Sequence, residues 1–194
     1  MKTRFIGFVI LILLTVQTGF GQEVFRIDNS KSVMKITGTS NVHDWEMSAS
    51  GMSVTMALVK ESSQLKNISA VEFTLPSKNI QSHNSIMDKK TWDAIKADKY
   101  SSIKFNLANV SGLSISGNQI KGTASGTLTI AGKSNIVSIP FTGEINSSQE
   151  IKIAGSREIR LKDFNVDPPT AMMGTLKTGE TVTIEFDLQF VSTT

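Results

Sequence analysis

His43 and His83 are the only imidazoles in the 194-residue chain, and only His43 has chemically useful neighbours. His43, Asp44 and Trp45 set a base, a carboxylate and a large aromatic side by side, the parts of a general base oriented by an acid. The same three residues would serve as a polar cluster at the rim of a sheet, or as side chains that satisfy backbone groups in a turn. A hydrolase also needs a nucleophile on a tight turn, and no GxSxG or comparable elbow occurs. The residues therefore read as non-catalytic, with a hydrolase using His43 as the lesser alternative.

Other chemistries lack their parts. His83 stands forty residues from His43, with no HxH, HxxxH or paired-carboxylate loop, so neither a metal site nor a cofactor is expected. The phosphate-cradling patterns GxGxxG and GxxxxGK[ST] are absent. Two tryptophans and one tyrosine make no basic-aromatic platform for nucleic acid. With no cysteine there is no thiol chemistry, no zinc-thiolate site and no lipid attached through sulfur.

What remains is the apolar face of the elements themselves. From Thr181 to Val191, Val182, Ile184, Phe186, Leu188 and Phe190 alternate with Thr183, Glu185, Asp187 and Gln189. That period of two puts one face in a core and the other in water. The same alternation runs through Met52, Val54, Met56 and Leu58, through Val71, Phe73 and Leu75, and through Ile103, Phe105 and Leu107. Ile120, Ala124, Leu128 and Ile130 share parity with Gly122 and Gly126. Further strands are expected from Val24 to Thr37, Ile136 to Ile145 and Ile151 to Leu161, with turn residues between them.

These runs predict an all-β chain: an eight-stranded antiparallel barrel, with one short helix inserted mid-chain. The helix is expected over Met87 to Ala97, with Ser85 as N-cap, Asp88 three residues on, and Met87, Thr91, Ala94 and Ile95 on one face. It would plug or cover one end of the barrel. From Phe164 to Lys177, Pro168-Pro169 argues against ladder pairing, and Ala171, Met172 and Met173 put apolar side chains on a loop.

Eight strands close a barrel that is either filled by its side chains or holds one guest. The inward set mixes Phe73, Phe105, Phe186 and Phe190 with Gly122, Ala124 and Gly126, and the small residues are expected to leave space. The candidate lining is Trp45, Met52, Val54, Met56, Val71, Phe73, Leu75, Ile103, Phe105, Leu107, Leu128, Val182, Ile184, Phe186 and Leu188. His43, Asp44, Met172 and Met173 are the candidates for a mouth that meets a polar head group. Composition leaves open a filled barrel with a structural or stress-related role.

Residues 1–21 read as a signal peptide: Lys2 and Arg4, an apolar run from Phe5 to Val16, then Gly19 and Gly21 before the cut. The run is short for a membrane span. Residues 22–194 then form the barrel domain, exported to the periplasm or beyond the cell and not stably inserted in a membrane. The full chain has 20 basic and 17 acidic residues. Removing residues 1–21 takes two basic residues and no acid, leaving 18 against 17, a balance that asks for no nucleic acid. Pairing of two barrels as a homodimer stays open.

Four segments in order resemble the YceI-like family of exported bacterial proteins, over about Phe25 to Phe190. They are FRIDNSKSVMKITGTSNVHDWEMSASG, KTWDAIKADKYSSIKFNL, GTLTIAGKSNIVSIPFTG and DFNVDPPTAMMGTLKTGETVTIEFDL. The resemblance implies a lipocalin-like barrel that binds polyisoprenoid or similar long-chain lipids in the periplasm. It brings no catalytic constellation, and its ligand contacts are apolar barrel linings. The chain departs from better-known members at His43-Asp44-Trp45 and Pro168-Pro169.

Overall fold

The computed structural model describes residues 21–61, 64–146, 150–171 and 175–193. Residues 1–20, all but the last of the expected leader, lie outside the described residues, as do Met172, Met173, Ser147 and Ser148.

Twelve strand segments build one sheet. They are β1 (Gly21–Ile27), β2 (Val33–Ser40), β3 (Trp45–Ala49), β4 (Ser53–Glu61), β5 (Gln64–Pro76) and β6 (Ile80–Gln81), then β7 (Ser102–Ser116), β8 (Gln119–Ile130), β9 (Lys133–Ile145), β10 (Ile151–Arg160), β11 (Thr170–Ala171) and β12 (Leu176–Ser192). One edge of β12 pairs with β10, and the other with β2 and then β1, so the sheet closes on itself. Since β1 and β2 both run antiparallel to β12, they are two halves of one strand. By the same logic β3 continues into β4, and β5 into β6. The result is the expected eight-stranded closed antiparallel barrel, with β11 as a two-residue addition at the start of β12.

Three neighbouring strands break at one level, which the sequence reading does not anticipate. The run from Val24 to Thr37 is interrupted at residues 28–32, where the Asp28 carboxylate accepts from Ser30 N (3.0 Å) and Ser30 Oγ (2.6 Å). Such a side-chain turn competes with the ladder. Asparagine side chains replace the missing pairs. Asn29 Nδ2 donates to the Met52 carbonyl (2.8 Å) and Met52 N donates back to Asn29 Oδ1 (3.0 Å). Asn79 Nδ2 donates to the Ser50 carbonyl (3.0 Å), beside Gly51 at φ +64°. The breaks form a stitched crease across the wall.

The helix α1 (Ser85–Ala94) sits between β6 and β7. Its N-cap is Asn84 and not Ser85: Asn84 Oδ1 accepts from Ile86 N (3.0 Å) and Met87 N (3.2 Å), the orphan amides of the first turn. Asp88 is buried and accepts from Ser82 N and Ser82 Oγ, so it ties the helix to the preceding loop. The helix ends before Ala97 because Lys96 takes the left-handed conformation, φ +54°. Beyond it, the Pro168-Pro169 stretch is more regular than expected. Thr170 pairs with Lys177, and β12 begins at Leu176, five residues ahead of Thr181.

Candidate functional site

Cross-strand pairing decides where the large inward side chains lie. Gly122 stands opposite Phe141, Gly155 opposite Phe186, and Gly38 opposite Trp45. A Cβ at Gly155 would fall 2.6 Å from Phe186 Cζ, and one at Gly38 2.3 Å from Trp45 Cζ2. The rings lie over glycines of the neighbouring strand. This corrects the expectation that Gly122 and Gly126 leave space directly: Phe141 and Phe105 cover them. The space appears instead at the centre, because rings held against the wall do not cross the lumen.

Two adjoining cavities result. An inner chamber of about 180 Å³ is lined by residues of every full strand of the barrel. An outer chamber of about 310 Å³ lies between the barrel end, α1 and the segment after Val166, within the range of small-molecule sites. Six residues border both chambers: Ile36, Ile80, Ile103, Ile130, Ile159 and Ile184. They form an isoleucine collar at the junction, contributed by β2, β6, β7, β8, β10 and β12.

Most of the candidate lining meets at these chambers. Val54, Met56, Val71, Phe73, Leu75, Ile103, Phe105, Leu107, Leu128, Ile184, Phe186 and Leu188 border the inner one. Trp45 and Val182 border the outer one, with Met87, Thr91 and Ala94 of α1 and Ile95 at its C-cap. Met52 is buried but borders neither chamber, because it sits at the crease where Asn29 holds its backbone. Asp44 is exposed and borders neither. Among the lining residues absent from the sequence expectation are Ile139, Phe141 and Ile153, whose parity was readable, and Arg157, whose place depends on the wall beside it.

That wall is incomplete. β9 pairs with β10 only from Phe141 to Ile145, whereas β10 pairs with β12 along its whole length. The Pro140 carbonyl points at β10, 2.7 Å from where a Gly155 Cβ would stand. In a strand the amide of a residue points the same way as its carbonyl, so the amide that Pro140 lacks is the one that would continue this ladder. Farther along, Asn135 Nδ2 donates to the Asp163 carbonyl (2.5 Å), which bounds the unpaired seam at the helix end. Arg157 sits in it. Its parity is that of Ile153 and Ile159, it pairs across from Ile184, and it borders the inner chamber while remaining exposed. A second seam opens at the opposite end, where β5 and β7 pair only over Glu72–Pro76 and Ser102–Asn106.

The helix end is tied down by polar contacts. Trp45 Nε1 donates to the Thr39 carbonyl (3.0 Å), Trp92 Nε1 to the Ile80 carbonyl (2.9 Å) and Lys90 Nζ to the Thr170 carbonyl (2.7 Å). His43 borders the outer chamber, but its Nδ1 meets the backbone carbonyl of Asp44 at 2.7 Å and not the carboxylate. The contact puts the ring proton on Nδ1 and serves the turn. Among the described residues no group of three or more His, Cys, Asp or Glu is placed to hold a metal ion.

The family model described as YceI-like domain matches residues 25–190. Among solved structures, BcnA of Burkholderia cenocepacia is 19% identical at a TM-score of 0.68, with 84% of this chain and 98% of that one covered. A polyisoprenoid binding domain from Saccharophagus degradans, implicated in plant cell wall breakdown, is 12% identical at 0.66, covering 87% and 98%. The Campylobacter jejuni YCEI protein is 16% identical at 0.53, covering 98% and 94%. At these identities the likeness is one of fold. No curated protein matches the chain.

Proposed function

We propose that this chain, which belongs to the YceI-like domain family, is an exported, non-catalytic binding protein that holds a long-chain apolar lipid of the polyisoprenoid class inside its barrel. The observation that carries the reading is the pair of adjoining chambers walled by the alternating apolar faces of the strands. Hydrocarbon moved from water into them gains about 25 cal/mol per Å² buried. The polyisoprenoid binding domain of similar fold supports the choice of lipid class. A barrel filled by its own side chains would leave no such chambers. Residues 1–21 support export, to the periplasm or beyond the cell. The turn contact of His43 supports a binding role over a hydrolytic one.

The test has two arms. Protein purified from its producing cells is extracted with organic solvent and the extract analysed by mass spectrometry, and the stripped protein is melted with and without added geranylgeraniol. A guest at a hundred times its Kd adds about 2.7 kcal/mol, which raises the melting temperature of a chain this size by about 5–10 °C. An extract without lipid, together with an unmoved melting curve, defeats the reading.

A further inference from the structure

Among the described residues, Arg157 is the only charged side chain that borders the inner chamber. Its neighbours on the inward face are Ile159 on its own strand and Ile184 across from it. Among the described residues no carboxylate pairs with its guanidinium and no hydrogen bond holds it, although eight ion pairs form elsewhere. The cation of the outer chamber, Lys90, differs in being held: one of its ammonium donors goes to the Thr170 carbonyl. Wall geometry adds a second observation. The ladder between β9 and β10 stops at Gly155 and Phe141, so Arg157 lies on the stretch of β10 that has no β9 partner, and it both borders the chamber and is exposed.

An unpaired guanidinium is a fork of donors that matches an oxyanion in a bidentate way. One placed where an apolar chamber meets water suits a molecule with a charged end and a hydrocarbon chain. We propose that Arg157 holds the anionic head group of the guest at the β9–β10 seam, with its chain inside the barrel, so that the preferred ligand is a single-chain lipid ending in phosphate or carboxylate. The proposal rests on the lipid-binding reading and narrows it.

The experiment compares charged and uncharged ligands of equal chain: geranylgeranyl phosphate with geranylgeraniol, and palmitate with hexadecanol. Binding is measured by calorimetry below the micellar concentrations, for the wild type, Arg157→Gln and Arg157→Lys. The wild type should bind at least one charged member about tenfold more tightly than its alcohol. Arg157→Gln should lose that preference while binding the alcohols as before, which also reports that it is folded. Arg157→Lys should keep part of it. Inorganic phosphate at equal concentration should displace nothing. The proposal is overturned if the wild type shows no preference in either pair, if the preference survives in Arg157→Gln, or if inorganic phosphate alone competes. Should neither the charged ligands nor the alcohols bind, the lipid reading falls and this one with it.

Discussion

A glycine opposite an aromatic ring is how this wall keeps its lumen clear, and the pairs differ in how hard they are to disturb. A methyl group at Gly122 would stand 3.1 Å from Phe141 Cζ and 3.2 Å from Val110 Cγ1, side-chain atoms that can yield. One at Gly126 would stand 2.3 Å from the Asn106 carbonyl oxygen, which is backbone and cannot. Gly126→Ala should therefore cost about 1–3 kcal/mol in urea unfolding, as overpacking does. Gly122→Ala should keep most of its stability and tilt the Phe141 ring into the inner chamber, lowering its capacity for geranylgeraniol. Equal destabilisation of the two variants would contradict this account. Parity alone made Phe105, Phe186 and Gly122 readable as inward residues, since alternation is local. That a ring covers a particular glycine depends on register between strands, which no short window of sequence carries.

Among elements, the unpaired stretch between β9 and β10 turns on one missing amide. Pro140→Val restores a donor facing β10, so the ladder should extend beyond Gly155. Hydrogen exchange at residues 156–159 should slow, and release of bound lipid with it; unchanged protection there would show that the seam has another cause. The eight strands were legible because each alternates over five or more residues, and the helix because its apolar face repeats at helical spacing. The seam was not, because a proline within an alternating run does not announce which neighbour it faces. Two signals were nonetheless present. Asp28-Asn29-Ser30 is a turn-forming triplet inside the run from Val24 to Thr37, where the strand breaks. Arg157 stands in the inward register of Ile151, Ile153 and Ile159, where a cation is out of place unless it has work to do.

For the molecule as a whole, stability rests on closure, with no disulfide to help, and its charges set the pH limits. The Ser30 hydroxyl and amide, with Lys31, hold Asp28 below its usual range. The Asn146 amide and Lys31 do the same for Glu150, and Lys78 for Asp98. A lowered folded pKa contributes stability that is present above the unfolded values, 3.8 for Asp and 4.5 for Glu, and is lost as pH falls through the folded ones. Lys152 is raised above 10.5 by Asp187, so its contribution is complete below that value and fades as pH rises through the folded pKa. Melting temperature plotted against pH should thus be flat between about 5 and 10 and fall on both flanks. The falls are modest and shrink in high salt, because Asp98 and Lys152 are exposed and Asp28 and Glu150 are only half-buried. A rise below pH 4 would contradict the assignment. The isoleucine collar has its own consequence at this scale. β-branched side chains have few rotamers, so a ring of six holds a nearly constant bore. Any guest that occupies both chambers is gauged there by its thickness, and the barrel sorts hydrocarbons by calibre before it meets their length.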